Sequence, residues 1–352
     1  MGESDTAFGV EGLDLDNAAV YFIAEAGVNH NGDLDRAREL VDVAVESGAD
    51  AVKFQTFTAD RLVREDTPAA EYQIEAGESD SQYELLQEYE LRSDDYEALQ
   101  AYCEDQGITF LSTPFDEVSA DLLNEMGVPA IKLGSGELTN HPLLRHVAEF
   151  GTPMVVSTGM GTMTEVADAV TVIQETDPDI DLALLHCTST YPAELPTMNL
   201  RAMNRMAEAF ELPVGYSDHT TRVEMPGFAT AAGALIVEKH FTLDRSLPGP
   251  DHHASLEPTE LDRAVALARE AAVARGSPEK QPTPDEERIK RITRKSLHAA
   301  RELAADTTLT SDHLTIKRPA DGIPPTELQS VIGRDLKTAV DRNEPITGEM
   351  LR

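Results

Sequence analysis

The sequence predicts an α/β fold, a (β/α)8 TIM barrel followed by a small second domain. Three observations carry the prediction. Apolar runs alternate with amphipathic stretches over residues 1–275, eight of those runs have the length of strands, and a Pro-rich charged segment then separates a tail with apolar runs of its own.

The eight runs are Tyr21–Glu25, Ala51–Phe54, Thr109–Ser112, Ala130–Leu133, Met154–Ser157, Leu182–His186, Val214–Tyr216 and Leu235–Lys239. Each is short, rich in β-branched, aliphatic or aromatic residues, and bounded by turn formers, as a buried parallel strand should be. Between them the apolar period shifts from 2 toward 3.6, which predicts helices over Leu34–Ser47, Asp94–Gln106, Val118–Met126, Pro142–Phe150 and Met163–Glu175. The leading residues Phe8–Ala19 are expected to form a small hairpin closing the barrel bottom. The stretch GSPEKQPTPDEE, Gly276–Glu287, has no apolar period, so residues 276–290 are assigned to a linker and 291–352 to a compact second domain. A domain of that size has a thin core and needs a neighbour or partner to dock on.

Composition narrows the function. No apolar run reaches the roughly 18 residues a membrane span requires; the longest is Phe228–Val237. The N-terminus lacks the basic, then apolar, then small-residue order of a secretion signal, so a soluble cytoplasmic protein is expected. Two cysteines, Cys103 and Cys187, are too few for a disulfide framework and lack metal-site spacing. A formal charge of −35 opposes binding to nucleic acid or to an anionic membrane. Only eight lysines accompany that charge, a pairing that points to a chain adapted to very high salt, where screening removes most of its self-repulsion. In such a chain a lysine near the end of a buried strand is expected to serve chemistry. Lys53, Lys132 and Lys239 all qualify.

In a barrel of this kind chemistry is built at the C-terminal strand ends and the loops that follow. Those ends are nearly all polar. They offer Glu25, then Lys53 and Gln55, then Ser112 and Thr113, then Lys132, Ser135 and Glu137. Strands five to eight add Ser157 and Thr158; His186, Thr188, Ser189 and Tyr191; Ser217, Asp218 and His219; and Glu238, Lys239 and His240. Structure alone does not ask for this, because a packed barrel interior favours branched apolar side chains. Two lysines with serines and the glycine-rich Gly134-Ser135-Gly136 and Ser157-Thr158-Gly159 suit a phosphate with a carboxylate beside it. His219 and His240, with Glu25, suit a divalent metal. Gln55, Tyr191 and Asp251 suit sugar hydroxyls. The set therefore points to a metal-assisted condensation of phosphoenolpyruvate with a carbohydrate aldehyde.

The segments IAEAGVNHNGD, AVKFQTF, FLSTPFD, AIKLGSGEL, VVSTGM, LLHCTSTYP, GYSDHT and EKHFTLDRSLPGPDHHASLEP resemble, in the same order, the motifs of the N-acetylneuraminate (sialic acid) synthases, a group that includes legionaminate and pseudaminate synthases. Beyond the linker, LTIKRPADGIPPTELQSVIGRDL resembles their C-terminal antifreeze-like SAF domain. The resemblance implies that Lys53, Thr113, Lys132, Ser135, Ser157 and Ser217 bind phosphoenolpyruvate, with Ser189 on its phosphate side. It implies that His219 and His240 hold manganese, or else magnesium or cobalt. Glu25, Gln55, Tyr191 and Asp251 would face an N-acetylated sugar, and Glu137 and Glu238 would border the substrates. Arg318 would reach the site of the other subunit in a domain-swapped homodimer and touch the sugar's acyl group. The acceptor is N-acetylmannosamine or a relative, or a 2,4-diacetamido sugar. Two rivals account for less. A metal-dependent hydrolase would favour paired histidines where Asn29-His30-Asn31 stands and would leave the lysines unexplained, and a non-catalytic carbohydrate-binding protein would leave the barrel unexplained.

Overall fold

The computed structural model describes residues 20–68 and 81–352. The hairpin expected over Phe8–Ala19 lies outside the described residues. The chain divides into two compact units between Gly276 and Ser277.

In the first unit eight parallel strands form one sheet: β1 (Tyr21–Gly27), β2 (Ala51–Thr56), β3 (Thr109–Pro114), β4 (Ile131–Leu133), β5 (Met154–Ser157), β6 (Leu182–Cys187), β7 (Val214–Asp218) and β8 (Ile236–His240). Their order is β3-β2-β1-β8-β7-β6-β5-β4, with β3 and β4 adjacent, so the sheet is a near-closed barrel in which the first and last strands are neighbours. The expected strands are all present, with ends displaced by at most two residues; β7 in particular runs on to Asp218 and delivers His219 to the barrel rim.

The packing follows the period-2 alternation of a strand. One set of side chains faces the barrel axis and forms a closed inner cluster of Tyr21, Ile23, Ala51, Leu111, Ala130, Val155, Ala183, Leu185 and Ile236. The other set, including Phe22, Phe54, Phe110, Leu133, Val156, Leu184, Tyr216 and Val237, packs under the helices in the main core. At Gly215 the inner lining has room for no side chain: a Cβ there would stand 2.3 Å from Ile236 O and 2.6 Å from Leu185 Cδ2.

The helices hold their places by ordinary means. Leu34–Glu46 buries Ala37, Leu40, Val41 and Ala44, and Asp33 caps it by accepting from the main-chain N–H of Asp35 and Arg36. Met163–Thr176 starts at a reciprocal cap between Thr162 and Glu165. The run Phe228–Val237 is half helix and half strand: Met225–Ala231 is helical, Gly233 turns the chain at φ 120°, and β8 begins at Ile236. No helix of the described residues is long and apolar enough to cross a membrane.

The second unit, Ser277–Arg352, pairs β9 (Ser296–Ala299) antiparallel with β10 (Leu314–Lys317) over a core of Leu297, Leu309, Val331, Leu336, Val340, Ile346 and Leu351. Its first element corrects the sequence reading. A helix, Pro284–Thr293, begins inside the expected linker, capped by Thr283 and Glu286. Its residues are all solvated, so it left no apolar stripe to read.

Candidate active site

Continuing each inward row by one step of two converts the apolar inner cluster into a polar site. Tyr21 and Ile23 lead to Glu25, Ala51 to Lys53 and Gln55, Leu111 to Thr113, Ala130 to Lys132, and Val155 to Ser157. Leu185 leads to Cys187, Gly215 to Ser217 and His219, and Ile236 to Glu238 and His240. All of these line one cavity of about 540 Å3, with Ser135, Ser189 and Tyr191 from the following loops. The functional groups thus stand on strand ends already fixed by core packing beneath them.

One side of the cavity is a buried charge cluster. Lys53 Nζ lies 2.6 Å from Glu25 Oε2 and donates to Thr113 Oγ1 at 2.8 Å. Lys132 Nζ donates to Ser157 Oγ at 2.6 Å and to the Leu133 carbonyl at 3.0 Å. Both ammonium groups converge on Glu238 Oε2, at 3.7 and 3.8 Å, while Ser217 Oγ donates to Glu238 Oε1 at 2.9 Å. Burial works against Glu238 ionising, yet Lys132 and Lys53 together outweigh it and hold the carboxyl down at about 2. For Glu25 the balance goes the other way. Burial dominates, Lys53 only partly offsets it, and Glu238 adds repulsion, so the carboxyl is pushed up to about 7. Burial also pulls on Lys53, but Glu238 and Glu25 overcome it and raise that ammonium, whereas for Lys132 burial prevails and the group is lowered. The close Lys53–Glu25 contact therefore does not keep Glu25 charged, because Lys53 is shared with Glu238. The cluster holds one firm carboxylate, two lysines and one carboxyl that titrates near neutrality, which leaves it receptive to an anion.

The other side is aromatic. His219 and His240 have ring centres 5.4 Å apart, and Tyr191 packs beside them, with its ring 4.1 Å from that of His219 and 5.8 Å from that of His240. His219 Nδ1 faces the Thr188 carbonyl at 2.9 Å, an acceptor only, so Nδ1 carries the proton and Nε2 faces Tyr191 OH at 2.9 Å. Burial, reinforced by His219, keeps His240 far below the usual imidazole value and hence neutral. Its Nδ1 is buried without a hydrogen-bond partner, 3.9 Å from Asp251 Oδ2. A buried neutral imidazole nitrogen with an unused lone pair, beside a second imidazole and a carboxylate, is a donor set that fits a divalent transition metal. Among the described residues no group of three or more His, Cys, Asp or Glu is arranged as ligands, so other positions would fall to substrate or water.

Most of the first unit's residues expected from the sequence meet in this cavity, and several do not. Asp251 lines a neighbouring hollow of about 300 Å3 that shares Gln55 and Tyr191 with the main one. Glu137 lies outside the lining, in a short 3-10 turn over Ser135–Glu137, where its carboxylate accepts from Asn140 Nδ2 at 2.6 Å. Lys239 points to the opposite face of β8. Arg318 belongs to the second unit, in the loop after β10, where Ser296 Oγ donates to the next residue's carbonyl, Pro319 O, at 2.8 Å. His186, another polar strand end, also faces away and bonds the Met198 carbonyl at 2.8 Å. Cys187, Gln82, Phe115 and Met160 also line the cavity without having been expected there, and the Cys187 thiol lies 3.6 Å from His219 Nδ1. For Cys187 the available signal was inward parity, two residues after Leu185.

Both units of the chain are similar to known proteins. The family model described as NeuB family matches residues 40–280, and that described as SAF domain matches residues 294–352. An N,N'-diacetyllegionaminic acid synthase of Legionella pneumophila is 46% identical over 320 residues, covering 90% of each chain. The human N-acetylneuraminate-9-phosphate synthase is 35% identical over 94% of this chain and 92% of its own. The crystal structure of an N-acetylneuraminic acid synthetase from Leptospira borgpetersenii superposes with a TM-score of 0.70 at 33% identity, covering 77% of this chain and 90% of that one.

Proposed function

The chain belongs to the NeuB family of synthases, and from that premise we propose that it condenses phosphoenolpyruvate with an open-chain N-acylated amino sugar, giving a nonulosonic acid and phosphate. The observation that carries the reading is the two-sided cavity: two lysines with hydroxyl partners on one wall, two facing imidazoles on the other.

Lys53 and Lys132 neutralise the phosphate and carboxylate of phosphoenolpyruvate, with Thr113, Ser135, Ser157, Ser189 and Ser217 donating to their oxygens. Gln55, Tyr191 and Asp251 orient the sugar hydroxyls. His219 and His240 would hold a divalent ion, manganese on this reading, which supplies Lewis-acid polarisation of the sugar aldehyde. C3 of phosphoenolpyruvate forms the new bond to the aldehyde carbon, whose oxygen becomes a hydroxyl by taking a proton. Electron demand then moves to C2. Ionised Glu25 stabilises the charge there and accepts a proton from the water that adds; the tetrahedral adduct then breaks its C–O bond, phosphate leaving with the electron pair and taking up the proton of the C2 hydroxyl, whose oxygen becomes the ketone. Arg318 of the partner subunit, in a domain-swapped dimer, is assigned to the acyl group. The charge of −35 with eight lysines supports an enzyme that works in concentrated salt.

The 46% identity to a diacetyllegionaminic acid synthase, against 35% to the human enzyme, favours a second and narrower reading, in which the acceptor is a 2,4-diacetamido sugar. Phosphate release from phosphoenolpyruvate, measured in high salt with 2-acetamido and 2,4-diacetamido sugars, tests both. Release with neither class would refute the proposal.

A further inference from the structure

Of the three buried lysines among the described residues, Lys239 alone stays outside the cavity. Its Nζ lies 2.6 Å from Asp218 Oδ2, and both side chains are fully buried. The same ammonium donates to the main-chain carbonyl of Thr220, and Asp218 Oδ1 accepts from the Thr220 N–H at 2.9 Å. Asp218 and Lys239 are register partners across β7 and β8. The sequence positions are the important point. Asp218 and Thr220 are the two residues flanking His219, and Lys239 immediately precedes His240. One buried ammonium thus grips both neighbours of one imidazole while being itself the neighbour of the other.

Stability alone is a weak reason to keep such a pair, because two charges taken out of water regain little, and apolar replacements of similar volume are often no less stable. Register is a better one. We propose that Lys239, Asp218 and Thr220 form a positioning cluster that sets His219 against His240 at the separation a divalent cation requires. The inference rests on the metal reading above. None of the three lines the cavity, so their role is to position.

The test is calorimetric titration of the full chain with manganese chloride alone, in high salt, followed by phosphoenolpyruvate. The paired variant Asp218→Asn/Lys239→Met keeps an acceptor for Thr220 and an apolar stem of similar length, and Lys239→Arg keeps the charge but replaces the compact ammonium with a longer planar fork. Loss of a group that orients a metal ligand costs roughly 10- to 100-fold in affinity. That weakening is expected for manganese in both variants, with unchanged circular dichroism and unchanged phosphoenolpyruvate affinity. Wild-type manganese affinity in either folded variant overturns the proposal, and if the paired variant fails to fold, Lys239→Arg decides it. A wild-type chain that binds no manganese, or binding that survives His240→Ala, overturns the metal reading and this inference with it.

Discussion

Lys53 Nζ stands 2.6 Å from Glu25 Oε2, yet the same lysine is shared with Glu238, and it is Glu238, not Glu25, that remains charged. Two carboxyls at one site are pushed apart in acidity by their neighbours, the pattern that separates a permanent counter-ion from a group able to exchange a proton near neutrality.

Glu25→Gln is therefore expected to lower kcat by roughly 10²- to 10⁴-fold while leaving phosphoenolpyruvate binding near normal. Because the ionised form is the active one, kcat/KM of the wild-type enzyme should rise with pH through about 7, and this acid limb should be absent from the residual activity of the variant. Steady-state kinetics over roughly three pH units around neutrality, in constant high salt, check this. An unchanged limb in the variant would assign it to another group.

Stability should respond to acid with opposite signs at the two carboxyls. Glu238 is depressed from its ordinary 4.5 to about 2, so its contribution is present above pH 4.5 and is lost as pH falls through 2. Glu25 is raised from 4.5 to about 7, so the folded state holds its proton more tightly and stability from this group declines as pH rises across that interval. Thermal unfolding of Glu238→Gln should accordingly show a shallower loss of stability between pH 4.5 and 2 than the wild type, the remainder coming from other depressed carboxyls such as Asp33 and Asp95.

Gly159 is the tightest point of the anion wall, since a Cβ there would stand 2.1 Å from Ser189 Oγ and 2.7 Å from Ser135 Oγ. Gly159→Ala must turn both hydroxyls and break the bond from its own N–H to Ser135 Oγ, now 3.0 Å. The expected result is a KM for phosphoenolpyruvate raised roughly tenfold, about 1.4 kcal/mol, with the sugar KM unchanged. Parallel saturation curves for the two substrates measure it. Arg318→Ala should do the reverse, raising the sugar KM only; an unchanged sugar curve would remove Arg318 from the site.

The strands and the site were legible because one rule governs both. Inward positions carry apolar residues low in the barrel and polar residues at the rim, so a period-2 reading of Ile23-Ala24-Glu25 or Ile236-Val237-Glu238 finds core and chemistry together. Read without parity, the same rim misleads. Lys239 and His186 are polar strand ends on the outer face, and each is satisfied by partners there, Asp218 and the Met198 carbonyl. Glu137 is a polar loop residue satisfied by Asn140 three positions on. The helix Pro284–Thr293 was illegible for another reason: it is fixed by its cap and local charges, with no buried face to leave a pattern.

The acidic surface predicts that salt stabilises. With a charge of −35, raising potassium chloride from dilute to molar should lift Tm by ~3–6 °C, the shift a few kcal/mol gives in a chain of this size. A scanning calorimetry series that shows no rise would refute the halophilic reading.

The condensation itself is tested most directly by following one atom. With phosphoenolpyruvate labelled at the oxygen that bridges carbon to phosphorus, every turnover with the amino sugar should release labelled phosphate, while the new ketone oxygen comes from solvent. Label retained in the sugar acid product, or phosphate released at the same rate without the sugar, would contradict it.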